Sequence, residues 1–181
     1  MEMFENTILA ILKFTPGLGS IQIRKAVCIA DAVHYSLHGE SITGARYIKE
    51  KHGPVPDDKA YRCLVEMVIN GKIYINEQPI GPYTKNSYNA VLNPNYTLFN
   101  DSQRNIIKYA AHIAYNHSAT DLSFKTHDAV YDNIQMLEEI PLEAMCTPII
   151  TGYDTEPFTD AEREDMRKFF EVNENRIFAH G

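Results

Sequence analysis

Apolar residues recur at helical spacing in two segments near the start of the chain. The first segment runs from Phe4 to Phe14, and the turn residues Thr15-Pro16-Gly17 then interrupt it. The second predicts a helix from Ile21 to Leu37, with Ser20 as its N-terminal cap and Gly39 just beyond its end. Each helix is expected to bury its apolar face.

The next segment predicts a break followed by a third helix. Thr43-Gly44 is a turn pair, and the run His52-Gly53-Pro54-Val55-Pro56 holds two prolines, so we expect no regular structure to cross it. A cap at Asp57 or Asp58 predicts a helix to about Asn70, with Gly71 as its stop.

A small antiparallel hairpin is predicted after this helix. Ile73 to Asn76 alternates as a strand does, Gly81 to Ser87 has the composition of a loop, and Tyr88 to Leu92 supplies the return strand. The N-terminal half therefore has the order helix, short piece, helix, hairpin, which is the order of a winged-helix module.

The rest of the chain predicts mainly helices. They are expected from Arg104 to His117 with Ser102 as cap, from Ser123 to about Leu137, and from a capping box at Thr159 and Glu162. Glu138 to Phe158 has no sustained period and predicts a loop that crosses the body or leaves it. We expect a predominantly α-helical α+β single domain, with residues 1–137 as its main unit and residues 138–181 packed on it.

Composition narrows the class of protein. The 181 residues include 17 Lys+Arg and 24 Asp+Glu, a net charge of −7, and 44% of them are hydrophobic. This balance is that of a globular protein and disfavours a generic nucleic-acid coat protein. No stretch reaches the ~18 apolar residues that a membrane span needs, and the N-terminus lacks the pattern of a secretory signal. Three cysteines without a Cys-x-x-Cys pair indicate a reducing compartment, so a soluble cytoplasmic protein is expected.

Two groups of residues were weighed for chemistry. Asp31, His34 and His38 share one side of the second helix, where two histidines one turn apart can chelate a metal, but a solvated polar face explains them more simply. Ser123 and His127 fit a helix cap with its hydrogen-bonding partner. Nucleophile elbows, phosphate-binding loops and zinc-protease motifs are missing from the sequence, so we expect no enzyme activity, no metal and no cofactor.

The third helix is the candidate DNA-recognition helix of a winged-helix module. As a recognition helix it would present its first residues to the major groove, where basic or amide side chains are needed. It begins with Asp57-Asp58, followed by Lys59 and Arg62, with Lys85 in the hairpin. The acidic start repels phosphate, so DNA binding is disfavoured.

Three further motifs occur together in an order that is specific to one family. They are the helix end from Ala30 to Gly39, the pair of segments Ile42-Thr43-Gly44-Ala45-Arg46-Tyr47 and His52-Gly53-Pro54-Val55-Pro56, and Asp121-Leu122-Ser123 followed by His127 and Tyr131. In these features the chain resembles the Panacea domain, the SocA-like antitoxins of bacteria and their phages, over roughly Ile21 to Leu137. The resemblance implies a non-enzymatic antitoxin that binds and neutralises a toxin encoded beside it.

Residue types and positions predict which residues would bind the toxin. A rigid Gly-Pro turn flanked by interface-forming residue types predicts a toxin-binding surface of Tyr47, His52, Gly53, Pro54, Arg62 and Tyr83, with Tyr47, His52 and Tyr83 expected to be exposed. Structural roles are predicted for Gly39, Thr43, Gly44, Val55, Ser123 and His127.

Two alternative functions stay open at this level. The chain could act as a winged-helix-like regulator that binds its own operator DNA, or as an adaptor that hands a partner to a protease through the segment from Glu138 to Phe158. A homo- or hetero-oligomer is compatible with each of these functions.

Overall fold

The computed structural model describes residues 2–125 and 129–146, with the backbone alone at 58–61, 124–125 and 129–130. It is a mainly helical α+β fold. The helices are α1 Glu2–Phe14, α2 Ser20–His38, α3 Asp58–Ile69, α4 Asp101–Asn116, α5 Ala119–Lys125 and α6 Ala129–Asn133. The strands are β1 Tyr47–Glu50, β2 Gly53–Pro56, β3 Ile73–Ile80, β4 Tyr83–Ala90 and β5 Glu139–Ile140.

Helix α2 lies at the centre of the hydrophobic core. Residues 25–32 are all buried, so the helix is covered on every side rather than on one face. It packs against α1, α4, α5 and β2. The cluster of buried side chains around it extends from Phe4 in α1 to Met145 near the end of the described chain.

The first sheet has the strand order β2-β1-β5, and β2 contains both prolines of the predicted break. The expectation that no regular structure crosses this segment is wrong. Lys49 of β1 directs its backbone groups to β5, where its N–H donates to the Glu138 carbonyl (2.9 Å) and its carbonyl accepts from Leu137 N (2.9 Å). Lys49 therefore makes no backbone hydrogen bond with its cross-strand partner Pro54, whose own backbone groups point away from β1. The same holds for Pro56, two residues later. A proline costs no ladder hydrogen bond at such a position on an edge strand.

The second sheet is the hairpin β3–β4, which is longer than predicted. Its ladder runs from Ile73↔Ala90 to Ile80↔Tyr83, so most of the predicted loop Gly81–Ser87 belongs to β4. The two-residue connection begins with Gly81 at φ +57°, which a type II′ turn requires at that position. Residues 76–86 are exposed on both faces, so we call this projecting part the hairpin arm.

Three of the predicted caps are corrected. Gly19 rather than Ser20 caps α2, because the Gln22 side chain accepts from the Gly19 N–H (3.0 Å). Asn100 rather than Ser102 caps α4, through a reciprocal pair of hydrogen bonds with Gln103. Ser123 does not open a helix, since it lies inside α5. The predicted glycine position at the end of α2 is confirmed, with Gly39 at φ +76°.

The predicted loop from Glu138 contains regular structure at its start. Glu139–Ile140 forms β5, and residues 142–146 are helical and lie on α2, where Glu143 accepts from the Tyr35 hydroxyl (2.5 Å). Residues 147–158 and the helix predicted from Thr159 lie outside the described residues.

The observed order places the hairpin β1–β2 between α2 and α3. The sequence predicted a short extended or helical piece there, so the winged-helix assignment stays a prediction. Within residues 2–125 and 129–146, no helix combines the length and apolar character needed to cross a membrane.

Candidate functional site

The predicted toxin-binding residues divide into buried and exposed groups. Tyr47 is only 1% exposed, so the expectation that it lies on the surface is wrong. Gly53 and Pro54, in β2, are buried as well. These three residues can shape a surface from below but do not offer their side chains to a partner.

The three exposed residues lie on separate elements. His52 is in the two-residue turn between β1 and β2, and Arg62 is on α3. Tyr83 belongs to the other sheet, at the tip of the hairpin arm, and is 78% exposed. The fold therefore does not assemble the six predicted residues into a single patch.

Asp31 explains why Tyr47 is buried. One carboxylate oxygen accepts from the backbone N–H groups of Ile42 (2.8 Å) and Thr43 (2.9 Å). The other accepts from the hydroxyls of Thr43 and Tyr47, the latter at 2.6 Å. Burial raises the pKa of Asp31, and the hydrogen bonds from Thr43 and Tyr47 oppose that rise. Asp31 thus ties α2 to the turn that leads into β1.

Lys25 makes a second connection from α2, six residues before Asp31. Its ammonium group is fully buried and donates to the Pro54 carbonyl (2.9 Å) in β2. Because burial disfavours the charged form, the pKa of Lys25 is lowered to about 8. The hydrogen bond fixes the Gly-Pro segment against the helix.

Tyr131 of α6 holds the turn end of the same hairpin. Its hydroxyl donates to the Glu50 carbonyl and accepts from the Gly53 N–H (3.2 Å). Lys49 lies over the Tyr131 ring, 4.4 Å from its centroid, and donates to the Tyr131 carbonyl (2.5 Å). We call Asp31, Lys25 and Tyr131 the clamp, since they fix the β1–β2 hairpin at its entry, its second strand and its turn, respectively.

The polar residues of α2 have roles that the sequence did not reveal. The prediction of a solvated face is wrong for Asp31 and His34, both of which are buried. The Nδ1 atom of His34 is 2.6 Å from the Glu40 carbonyl, and the Nε2 atom of His38 is 2.8 Å from the Ser102 hydroxyl. In the described part of the chain, histidine, cysteine and acidic residues form no group of three that could hold a metal.

Arginines near the β1–β2 hairpin are matched by carboxylates. Arg46 pairs with Asp57 (3.5 Å) and Glu139 (3.8 Å), and Arg24 lies 3.9 Å from Glu50. Exposed pairs of this kind contribute little stability, but they do neutralise the cations. This surface therefore lacks the excess of positive charge that binds phosphate.

One side of the β3–β4 hairpin carries large exposed side chains near its base and at its tip, with Asn76 and Gln78 between them on β3. We call this side the apolar face of the hairpin arm, and the sequence predicted only Tyr83 as part of it. Tyr74 (53% exposed), Ile80 (55%) and Tyr83 all point to the same side of the hairpin, because Ile80 is directly opposite Tyr83 and Tyr74 lies six residues before Ile80 on β3. The other face carries Ile73, which is buried against the body. Tyr74 lies within the predicted strand from Ile73 to Asn76, on the side opposite Ile73 and Ile75, whereas Ile80 follows residues that do not alternate.

The residues predicted to have structural roles are located as follows. Gly44 (φ +68°) is in the turn that Asp31 holds through Thr43, and Val55 is buried in β2. The Ser123 hydroxyl donates to the Ala119 carbonyl (2.7 Å) in the same helix. His127 lies outside the described residues.

Comparisons with known proteins give one match. A family model described as antitoxin SocA-like, Panacea domain, matches residues 23–130, which is more than half of the chain. The matched range contains α2 from Ile23 onward, the β1–β2 hairpin, the hairpin arm and α4. No curated protein and no solved structure matches the chain.

Proposed function

The chain belongs to the SocA-like antitoxin family defined by the Panacea domain, and on this basis we propose that it neutralises a toxin by binding it directly. Membership in the family is the observation that carries the proposal. In this proposal neither catalysis nor a cofactor is required, because a bound protein can cover the active surface of the toxin.

Charge supports a basic toxin as the partner. The chain has a net charge of −7, which attracts a positively charged protein and speeds its encounter. Toxins that act on RNA or on the ribosome have this character, since they approach a polyanion.

The apolar face of the hairpin arm is the contact surface that we favour. Tyrosines are enriched among the residues that dominate interface energies, and Ile80 adds apolar area directly opposite Tyr83. Tyr74, Ile80 and Tyr83 supply such a face on an element that projects from the body. His52 and Arg62, which are exposed on separate elements, are more polar positions to be tested beside it.

The first experiment expresses the adjacent reading frame with and without this chain. We expect the neighbour to arrest growth alone, to be harmless in co-expression, and to co-purify with this chain. A harmless neighbour that forms no complex would contradict the proposal.

Surface variants then locate the contact. Tyr83→Ala is expected to weaken toxin binding at least about 30-fold, as truncation of an aromatic interface anchor does. Tyr115→Ala is the matched control, since Tyr115 is a comparably exposed tyrosine (57%) on α4. Charge reversal at Arg62 together with His52→Ala tests the more polar positions, and intact neutralisation by this folded variant would remove them from the interface.

DNA binding and protease delivery are the two competing outcomes. Arg46 lies near the start of α3, but its charge is neutralised by Asp57, which disfavours a contact between this arginine and a DNA phosphate. A salt-dependent shift of the promoter DNA by this chain would support the regulator. Partner degradation that depends on the segment from Glu138 to Phe158, with binding retained, would support the adaptor.

A further inference from the structure

The backbone of the β3–β4 hairpin has one edge that the chain covers and one that no residue in 2–125 or 129–146 covers. Tyr88 of β4 donates its N–H to the Leu18 carbonyl (2.9 Å) and accepts from Gly17 N (2.9 Å). Both of its backbone groups therefore face away from β3. The edge of β4 is occupied at this point by the connection between α1 and α2.

The same orientation recurs at every second residue of an antiparallel ladder. The cross-strand partner of Tyr88 is Ile75, so Ile75 and then Glu77 direct their N–H and carbonyl groups away from β4. Among the described residues, none forms a hydrogen bond with these outward groups of Ile75 and Glu77. The β3 edge thus offers two donors and two acceptors in strand geometry.

Pro79 limits the length of this open edge. It is the next outward position after Glu77 and has no N–H to donate. Pairing along β3 must therefore end before the tip of the hairpin arm, which leaves a site for a short strand between Ile75 and Gln78. A proline there also protects the edge against indefinite sheet growth.

We propose that the β3 edge between Ile75 and Gln78 binds an extended segment of the toxin, which adds to the hairpin as a third strand. The inference rests on the proposed function and adds the mode of recognition. Backbone hydrogen bonds hold such a strand, while neighbouring side chains select it. Tyr74 and Ile80 flank the site on the exposed face of the hairpin arm and supply apolar contacts.

Charge favours a toxin segment over a second copy of this chain. Glu77 is exposed within the site, and a lysine or arginine on the added strand pairs with it across the strands. Two copies joined through this edge would add the repulsion between two chains of net charge −7.

The test uses hydrogen exchange on the full chain, alone and in complex with the product of the adjacent reading frame. The Ile75 and Glu77 amides are expected to exchange rapidly in the free chain and to be slowed at least about 10-fold in the complex. Loss of the complex altogether would overturn both the proposed function and this inference. A stable complex in which these two amides stay unprotected would overturn the inference alone, and so would protection that rises with the concentration of the free chain.

Substitutions give an independent readout. Glu77→Pro removes an outward donor and is expected to weaken binding at least about 10-fold, whereas Glu77→Ala, which keeps the donor, is expected to lose about 3-fold. The matched control is Thr84→Pro, an exposed outward position on the opposite strand. Equal effects of Glu77→Pro and Thr84→Pro, in variants with unchanged thermal unfolding, would contradict strand addition at β3.

Discussion

Truncation of the Asp31 side chain is predicted to remove most of the effect of a second substitution at Tyr47. In the native chain, Tyr47 donates to Asp31 (2.6 Å) from a fully buried position. A hydrogen bond to a charged group contributes about 1.5–3 kcal/mol, so Tyr47→Phe should lower the free energy of unfolding by about 2 kcal/mol.

Asp31→Ala removes the acceptor for four donors at once. They are the two backbone N–H groups and the two hydroxyls that the carboxylate binds. Each buried donor left unpaired costs about 1–3 kcal/mol, with some relief from relaxation, so a total loss of about 4 kcal/mol or more is expected. In this background the Tyr47 hydroxyl keeps only its long contact with the Val27 carbonyl (3.4 Å), so Tyr47→Phe should be close to neutral.

The assay is urea unfolding of the four proteins of the double-mutant cycle at neutral pH. If Asp31→Ala does not fold, Asp31→Asn takes its place. An amide retains one oxygen for the backbone donors, and the cost of Tyr47→Phe should then fall to about 1 kcal/mol. A cost for Tyr47→Phe that is the same in every background would refute the role assigned to this hydrogen bond.

The pH dependence of the same variant checks the electrostatic part. Burial raises the pKa of Asp31 above its ordinary value of 3.8, so the folded chain holds this proton more firmly than the unfolded chain does. Stability contributed by the protonated carboxyl is then lost as pH rises from about 3.8 through the folded pKa. Over that window the stability of the wild type relative to Asp31→Asn should decline.

Three further substitutions test the clamp and one helix end. Burial lowers the pKa of Lys25 from 10.5 to about 8, so the unfolded chain binds this proton more firmly than the folded chain does. The free energy of unfolding of the wild type, relative to that of Lys25→Met, should therefore rise by up to about 3 kcal/mol as pH increases from about 8 to 10.5. Denaturant unfolding of both proteins at each pH measures it. Tyr131→Phe leaves the Gly53 N–H without its hydroxyl acceptor and should cost about 1–2 kcal/mol, with faster hydrogen exchange at Gly53; unchanged exchange would contradict this role. Gly39→Ala places a side chain at φ +76° and should cost about 1 kcal/mol in thermal unfolding, more than Gly19→Ala, where φ is −76°.

Helices were the part of the fold that the sequence predicted well. The apolar spacing within α1, α2 and α4 is a local signal, and the observed helices lie within a few residues of the predicted ones. The caps were less accessible, because Ser20 and Ser102 have the right chemistry but the wrong geometry. The backbone starts each helix one or two residues earlier, where Gln22 and Gln103 complete the hydrogen bonds.

Strands were harder to predict because their pairing is non-local. Pro54 and Pro56 exclude a central strand, yet an edge strand accepts them when their missing donors face away from the neighbour. In β4 the sequence Thr84-Lys85-Asn86-Ser87 has no alternation, so only its pairing with β3 makes it a strand.

Buried polar residues set the limit on predicting the site. An aspartate at a helical position opposite apolar residues has the same pattern whether water or a turn covers it. Asp31 is buried because the segment from Ile42 to Tyr47 folds back onto α2 and supplies donors, and nothing within α2 itself records that contact. Tyr47 was predicted to be exposed for the same reason, since its contact with Asp31 joins residues that are distant in sequence.

The location of the family motifs separates what is shared from what selects a partner. The turn at Thr43-Gly44, the Gly53-Pro54 segment and Tyr131 meet at the clamp, where their groups bind α2 and each other. These residues specify how the β1–β2 hairpin is held, and all of them except Tyr131 lie within the residues 23–130 that the family model matches. In the proposed function, the choice of toxin depends on exposed positions such as Glu77 and Tyr83 of the hairpin arm, which can change without disturbing the clamp. Exchange of the hairpin arm between two members of the family should accordingly transfer toxin preference, while substitutions in the clamp should lower stability and leave that preference unchanged.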